Sequence, residues 1–172
     1  EATLRLGMKT DTQDITGTVL EERPVTVTEQ DILNVLPAFR GEILQIPPMY
    51  SALKVNGQKL YDLARKGKEV ERQPRPITIH ELELLHFDGQ DARIRARCSK
   101  GTYIRTLCED MGEKLGCLGT MAALRRTRAG EYTIEKAVPL QTLLDAENPE
   151  QYLLSMDSPF LGYPAVTLSE NQ

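Results

Sequence analysis

The chain has 172 residues, of which 40% are hydrophobic and 27% are charged, and its formal net charge is -4. This composition is typical of a single globular domain and excludes a fibrous or intrinsically disordered protein. Because no apolar run approaches the roughly 20 residues that span a bilayer, and the N-terminus lacks a signal-peptide pattern, we expect a cytoplasmic protein without membrane contact.

The first part of the chain is predicted to alternate strands with short helices. Apolar periodicity, capping residues and turn residues set the boundaries of each element. In chain order the predicted elements are strands at 3–9 and 17–21, a helix from Thr28 to about Pro37, an extended segment at 46–50, a strand at 50–55, a turn at Asn56-Gly57 and a helix at 59–65.

The second part is predicted to begin with two long strands. A change of parity in the first predicts a β-bulge near His80. In chain order the elements are strands at 76–87 and 92–98, an amphipathic helix from Ile104 to Leu115, strands at 121–128 and 131–134 joined through Ala129-Gly130, and a helix at 139–146. This order predicts an α+β fold with a mixed, mainly antiparallel sheet and flanking helices.

Common cofactor and metal motifs are absent from the sequence. There is no G-x-G-x-x-G, Walker loop or H-E-x-x-H, and the three cysteines show no C-x-x-C pairing. We therefore expect no cofactor and no metal. The two histidines, His80 and His86, lie in a predicted strand without a partner at informative spacing, and we interpret them as structural.

The segment Cys98 to Thr106 is the most informative for function. A basic strand leads through a glycine turn into the first turn of a helix, an arrangement that holds side chains in fixed positions. Tyr103 offers a face for stacking, and the guanidinium of Arg105 suits a carboxylate or a phosphate. The alternative is that Tyr103 fills the core and Arg105 forms a surface ion pair.

Basic residues also cluster at Met49–Arg75, where seven of them are interleaved with Tyr50 and Tyr61. Such a pattern suits RNA, since cations neutralise phosphates while aromatic rings stack on bases, although a charge run is more often a solvated face. Two further basic rows follow at residues 93–97 and 125–128. Residues 131–172 carry seven acidic and one basic residue, so the negative total conceals a body with a net charge of +2.

Several separated motifs resemble those of the TruB family of tRNA pseudouridine synthases. In chain order they are Leu6-Gly7 with Thr10-Asp11-Thr12, the run Ile46 to Lys54, Cys98 to Thr106, Gly112 to Gly116, Leu124-Arg125-Arg126 and Met156-Asp157-Ser158-Pro159. The resemblance implies a pseudouridine synthase-like catalytic domain over residues 1–154, with an RNA-gripping insertion at about 47–75. Residues 155–172 would begin a C-terminal extension.

The resemblance also implies a cofactor-independent isomerase that converts the T-loop uridine of tRNA to pseudouridine after the base has flipped out. Tyr103 would pack on the flipped base, Leu124 would form an apolar wall, and Arg105 would pair with the catalytic aspartate. The expected partner is the T-stem-loop of tRNA, bound by a monomer. The residues expected to contact RNA are Lys54, Lys59, Arg65, Lys100, Arg125 and Arg126.

The sequence departs from the family pattern in one respect. The G-x-L-D-P-x-A-x-G-x-L stretch that carries the nucleophilic aspartate in the family does not occur in it, and Leu144-Asp145 lacks the flanking glycines and proline. We therefore expect a fragment of the synthase that is inactive alone, lacking the N-terminal catalytic segment and the C-terminal accessory domain. The alternatives are a non-catalytic RNA-binding module or tRNA chaperone, and a plain structural domain with solvated arginines.

Overall fold

The computed structural model describes residues 1–160, 162–164 and 166. The chain forms two compact units, Glu1–Arg125 and Arg126–Gln172. Within the described residues, no helix combines the length and the apolar character needed to cross a membrane.

The first unit is built on a five-stranded sheet in which every pair of neighbours is antiparallel. The predicted α+β class, with a mainly antiparallel sheet, is thereby confirmed. The strands of this sheet, in the order 4-7-8-1-9, are β4 (Gly41–Gln45), β7 (Arg75–Phe87), β8 (Asp91–Cys98), β1 (Ala2–Leu6) and β9 (Gly119–Leu124).

Short hairpins and helices complete the two units. The first unit also contains β2 (Met8–Thr10), β3 (Val19–Glu22), α1 (Glu29–Val35), β5 (Lys54–Val55), β6 (Gln58–Lys59), α2 (Leu60–Ala64), α3 (Ile104–Lys114) and a 3₁₀ turn at Leu36–Phe39. The second unit contains β10 (Arg128–Ala129), β11 (Tyr132–Thr133), α4 (Leu140–Leu144) and 3₁₀ turns at Ile134–Lys136, Pro149–Tyr152 and Ser158–Phe160.

The core of the first unit lies between the sheet and α3. Leu4 and Leu6 of β1 are fully buried, as are Leu107 and Met111 of α3. The helix rests on β9 at a position where only glycine fits, because a Cβ on Gly112 would lie 2.2 Å from the backbone nitrogen of Gly119. This contact lets the helix backbone approach the strand directly.

Most predicted elements of the first unit are confirmed. Thr28 caps α1, where its hydroxyl accepts the Asp31 N–H and the Asp31 carboxylate accepts the Thr28 N–H. The pairing of β7 with β8 shifts register between Ile79 and Glu81, which confirms the bulge predicted near His80. A second shift lies between Leu84 and His86.

Three predictions about strands were wrong. The strand at 3–9 is interrupted at Gly7, whose φ of +89° ends β1 and redirects the chain into β2. The strand at 50–55 is reduced to Lys54–Val55, because the carbonyls of Ser51 and Leu53 accept N–H groups at the start of α2. The strand at 121–128 ends at Leu124, because β9 pairs with β1 rather than with the segment after Gly130.

Among the carboxyl groups of this unit, Asp110 has the most strongly shifted pKa. Burial raises its pKa to about 6, and the neighbouring Glu109 and Glu113 act in the same direction, while Lys9 opposes them. An ionised Asp110 therefore costs stability in the folded chain. The cost is greatest above pH 6, falls as the pH drops from about 6 to the unfolded value of 3.8, and is absent below it.

We therefore expect Asp110→Asn to raise the free energy of unfolding by about 1 to 3 kcal/mol at pH 8. The gain should shrink through pH 6 and vanish near pH 4. Urea denaturation at a series of pH values measures it. Asp62→Asn, at an exposed carboxylate on α2, is the matched control. A gain that does not change with pH would contradict the assignment.

Candidate functional site

The segment between β8 and α3 forms a tight junction. After Cys98 the chain turns at Gly101, whose φ of +82° suits glycine, and the helix begins after Tyr103. Two hydrogen bonds stabilise the turn. The Thr102 hydroxyl donates to the Ser99 carbonyl at 2.9 Å, and the Ser99 hydroxyl accepts the N–H of Thr78 in β7 at 3.0 Å.

Gln45 holds the backbone of Tyr103. Its side chain oxygen accepts the Tyr103 N–H at 2.8 Å, and its side chain nitrogen donates to the Tyr103 carbonyl at 3.1 Å. Gln45 is 2% exposed, so its amide is desolvated, and both its oxygen and its nitrogen have a partner in this pair of bonds. Tyr103 itself is half-buried.

Arg105 does not extend into open solvent. The residue is half-buried, and its Nη2 donates to the Tyr50 carbonyl at 2.8 Å. No ion pair joins Arg105 to a carboxylate of residues 1–160, 162–164 and 166. The surface ion pair considered as its alternative role is therefore absent from this part of the chain.

The register of the sheet places the candidate residues at one end of it. Ala2 pairs with Ile94 on one side and with Leu124 on the other, and β8 continues four residues past Ile94 to Cys98. Cys98 pairs with Ile79 of β7. The junction before α3 and Leu124 thus lie at the end of the sheet where β1 begins. Leu124 is 55% exposed there, so its side chain is available to a ligand.

The predicted insertion leaves and rejoins the sheet at this same end. Gln45, the last residue of β4, pairs with Arg75, the first residue of β7. The chain between them therefore leaves and rejoins the sheet at the end that carries Tyr103, Arg105 and Leu124. The structure thereby brings the predicted insertion and the predicted pocket residues together.

Within the insertion, three predicted RNA-binding cations surround a cavity of about 520 Å³. Lys54 and Lys59 come from the β5–β6 hairpin, and Arg65 follows α2. Lys59 and Arg65 lie over the Tyr61 ring at 5.2 and 5.4 Å, and the Tyr61 hydroxyl accepts a hydrogen bond from Lys59 at 2.9 Å, which raises the pKa of this lysine. The ring thus supports two cations whose charges stay exposed.

The remaining predicted RNA contacts are exposed. Lys100 lies in the turn before α3. Arg125 follows β9, and its N–H donates to the Glu1 carbonyl at 2.8 Å. Arg126 is the first residue of the second unit. These three positions stay predictions for RNA contact.

The arginine row of β8 is neutralised by carboxylates. Arg97 pairs with Glu81 at 2.7 Å, and Arg95 lies 3.0 Å from Glu1 and 3.5 Å from Glu83. Like the arginines, these carboxylates lie at the surface, where water screens each pair, so the pairs contribute little to stability. The outer face of β8 is therefore a row of ion pairs rather than the purely basic surface that the sequence suggests.

Arg72 joins the two ends of the insertion. Its Nη1 donates to the Pro47 carbonyl at 3.2 Å, and its Nη2 contacts Glu69 at 3.0 Å, while its buried Nε has no hydrogen-bond partner. The segment that leaves β4 is thereby linked to the segment that enters β7.

Sequence reasoning did not find Gln45 or Arg72 as site residues. Gln45 was not recognised because it is buried while Leu44 and Ile46 beside it are exposed. Hydropathy predicts the opposite burial for a strand. The position of this glutamine two residues before the Pro47-Pro48 pair was the available sequence signal for a site residue. Arg72 could not be distinguished from the other cations of its cluster.

Two family models match the chain. The model described as TruB family pseudouridylate synthase, N-terminal domain, matches residues 1–104, and the model described as tRNA pseudouridylate synthase B, C-terminal domain, matches residues 105–160.

Curated relatives and solved structures are also similar to the chain. A tRNA pseudouridine synthase B of Pseudomonas fluorescens (strain Pf0-1) is 53% identical over 99% of the chain, and one of Pseudomonas syringae pv. syringae (strain B728a) is 51% identical over the same share. The chain spans 58% of the length of each. A protein in the crystal structure of a Cbf5-Nop10-Gar1 complex is 30% identical, with a TM-score of 0.60 over 84% of the chain and 34% of that protein.

We expect Arg72→Lys to loosen the root of the insertion, because a lysine ammonium cannot reproduce the two-pronged contact with Pro47 and Glu69. The loss of about 1 kcal/mol should speed amide exchange in residues 47–72 about five- to ten-fold. Hydrogen–deuterium exchange measured by mass spectrometry reports this change.

Arg75→Lys, an exposed position at the start of β7, is the control and should leave the exchange of this segment unchanged. Equal exchange rates in both variants would show that Arg72 does not hold the insertion.

Proposed function

Because the chain belongs to the TruB family of pseudouridylate synthases, we propose that it is part of a tRNA pseudouridine synthase acting on the T-loop uridine of tRNA. The name shared by the curated relatives, which match 99% of the chain, supports this proposal. The chain spans 58% of the length of those relatives, so the activity is assigned to the whole protein.

The proposed reaction is an isomerisation. The bond from the ribose C1′ to N1 of uracil breaks, and a bond from C1′ to C5 forms, while C5 loses a proton and N1 gains one. Substrate and product contain the same atoms, and no electrons are exchanged with another molecule. The reaction therefore requires a nucleophile, a pocket for the turned base and proton transfer, but no cofactor.

The single observation that carries the proposal is the placement of Arg105. A half-buried guanidinium lies two residues after Tyr103, at the end of the sheet where Leu124 is exposed. With one donor on the Tyr50 carbonyl, its remaining N–H groups are proposed to bind the nucleophilic carboxylate, favouring its ionised form. Tyr103 would stack on the flipped base, and Leu124 would exclude water from one side of it.

The nucleophile itself is proposed to lie outside the 172 residues. The family stretch that carries it does not occur in the printed sequence. We further propose that the protein acts as a monomer in the cytoplasm and that the insertion grips the T-stem-loop. Lys54, Lys59 and Arg65 would neutralise phosphates around the cavity that they line.

We expect the full-length protein that contains this chain to release tritium from a T-stem-loop labelled at C5 of its target uridine, and the 172-residue chain to release none. Arg105→Lys in the full-length protein should lower kcat about 100-fold or more, because lysine lacks the planar fork. Arg93→Lys, on the outer face of β8, is the control and should retain activity.

Tritium release by the 172-residue chain would show that its nucleophile lies within it. A full-length protein that binds the stem-loop but releases no tritium would instead favour the non-catalytic RNA-binding module or chaperone.

RNA binding by the insertion is tested by salt dependence. The slope of log K against log salt is negative for RNA binding. Replacing Lys54, Lys59 and Arg65 together with glutamine should reduce the magnitude of this slope by about 2 to 3, since each phosphate contact contributes roughly 0.7 to 0.9. Filter binding of the T-stem-loop to the full-length protein between about 50 and 300 mM salt measures this slope.

The matched control replaces Arg93, Arg95 and Arg97, which contact carboxylates in the structure. It removes the same number of positive charges but should change the slope by less than about 1. An equal change in both triple variants would indicate that overall charge, rather than the insertion, determines binding.

A further inference from the structure

Gln45 is linked to Tyr103 in a way that differs from ordinary core polar residues. Both of its amide atoms bond to one residue, accepting the N–H at 2.8 Å and donating to the carbonyl at 3.1 Å. This is the pattern by which one strand residue pairs with another. The side chain of Gln45 thus pairs with the backbone of Tyr103 as a strand residue would.

The consequence of this pairing is a fixed backbone at Tyr103. The N–H and the carbonyl of Tyr103 are both hydrogen-bonded to Gln45. The carbonyl also accepts the N–H of Leu107 at 3.1 Å, at the start of α3. Tyr103 is held at φ -97° and ψ 107°, and no side chain caps the helix at this residue. The direction in which the ring leaves the backbone therefore depends on Gln45.

The same short segment also reaches Arg105. Five residues after Gln45, the Tyr50 carbonyl accepts the Arg105 guanidinium at 2.8 Å. Residues 45–50 form the leading root of the insertion, which leaves the sheet after β4. Two hydrogen-bonded attachments therefore connect this root to the two residues proposed to act on the base.

We propose that Gln45 is a positioning residue that sets the orientation of the Tyr103 ring for the flipped uridine, an inference that rests on the proposed function. Gln45 contacts no substrate in this role and acts through the Tyr103 backbone. Its loss should impair the chemical step, which depends on geometry, more than RNA binding, which is proposed to depend on the exposed cations of the insertion.

The test compares Gln45→Met and Gln45→Glu with the wild type in the full-length protein. Methionine keeps the side chain length but forms neither bond. We expect kcat to fall about 10- to 100-fold, a Kd for the T-stem-loop within about two-fold of wild type, and faster amide exchange at Tyr103. Ile94→Val, in the centre of the same sheet, is the control for a purely structural loss and should leave kcat unchanged.

Gln45→Glu supplies a rescue. A protonated carboxyl can both accept the Tyr103 N–H and donate to its carbonyl, whereas a carboxylate can only accept. The kcat of this variant relative to wild type should therefore rise as the pH is lowered from 8 to 6. This response also keeps the proposal testable if Gln45→Met does not fold.

A kcat within two-fold of wild type for both Gln45 variants, in an active full-length protein, would overturn the positioning role and leave the proposed function intact. A kcat of Gln45→Glu, relative to wild type, that stays constant with pH would also count against the positioning role. A wild-type protein that does not isomerise uridine would overturn the proposed function and this role together, and the amide exchange would then show only whether Gln45 holds Tyr103.

Discussion

The central strand β1 is the constraint on which the first unit depends. Its inward residues Leu4 and Leu6 are fully buried, and its backbone pairs with β8 on one side and β9 on the other. Because β1 is antiparallel to both, the end of β8 and the end of β9 point the same way. The turn that leads to Tyr103 and the exposed Leu124 therefore lie at the same end of the sheet, although Tyr103 and Leu124 are 21 positions apart in the chain.

Elements with one apolar face were predictable from the sequence. The alternation in β8 and the helical stripe of α3 each bury one side, so periodicity found both within one residue of their boundaries. β4 was not predicted, because its buried position at the end is Gln45 while Leu44 beside it is 69% exposed. Hydropathy cannot identify a strand whose inward residue is polar and hydrogen-bonded.

The site was predictable to a similar extent. Tyr103 and Arg105 were singled out as candidates because the glycine turn and the start of the helix make that junction recognisable in the sequence, and their roles stay predictions. The residues that hold them were not, since Gln45 lies 58 positions away from Tyr103 and bonds only to its backbone. The arginine row of β8 looked basic because the carboxylates that neutralise it, including Glu1 and Glu81, lie outside β8.

The contact between Gly112 and Gly119 joins one side of the candidate site to the sheet through backbone atoms. With no side chain between them, the backbone of α3 packs directly on β9, and these two elements carry Arg105 and Leu124. The insertion, by contrast, is attached to this block at the junction by hydrogen bonds from Gln45 and Arg105. In the proposed complex with RNA, adjustment of shape is therefore expected in the insertion, while α3 and β9 form the less deformable wall of the proposed pocket.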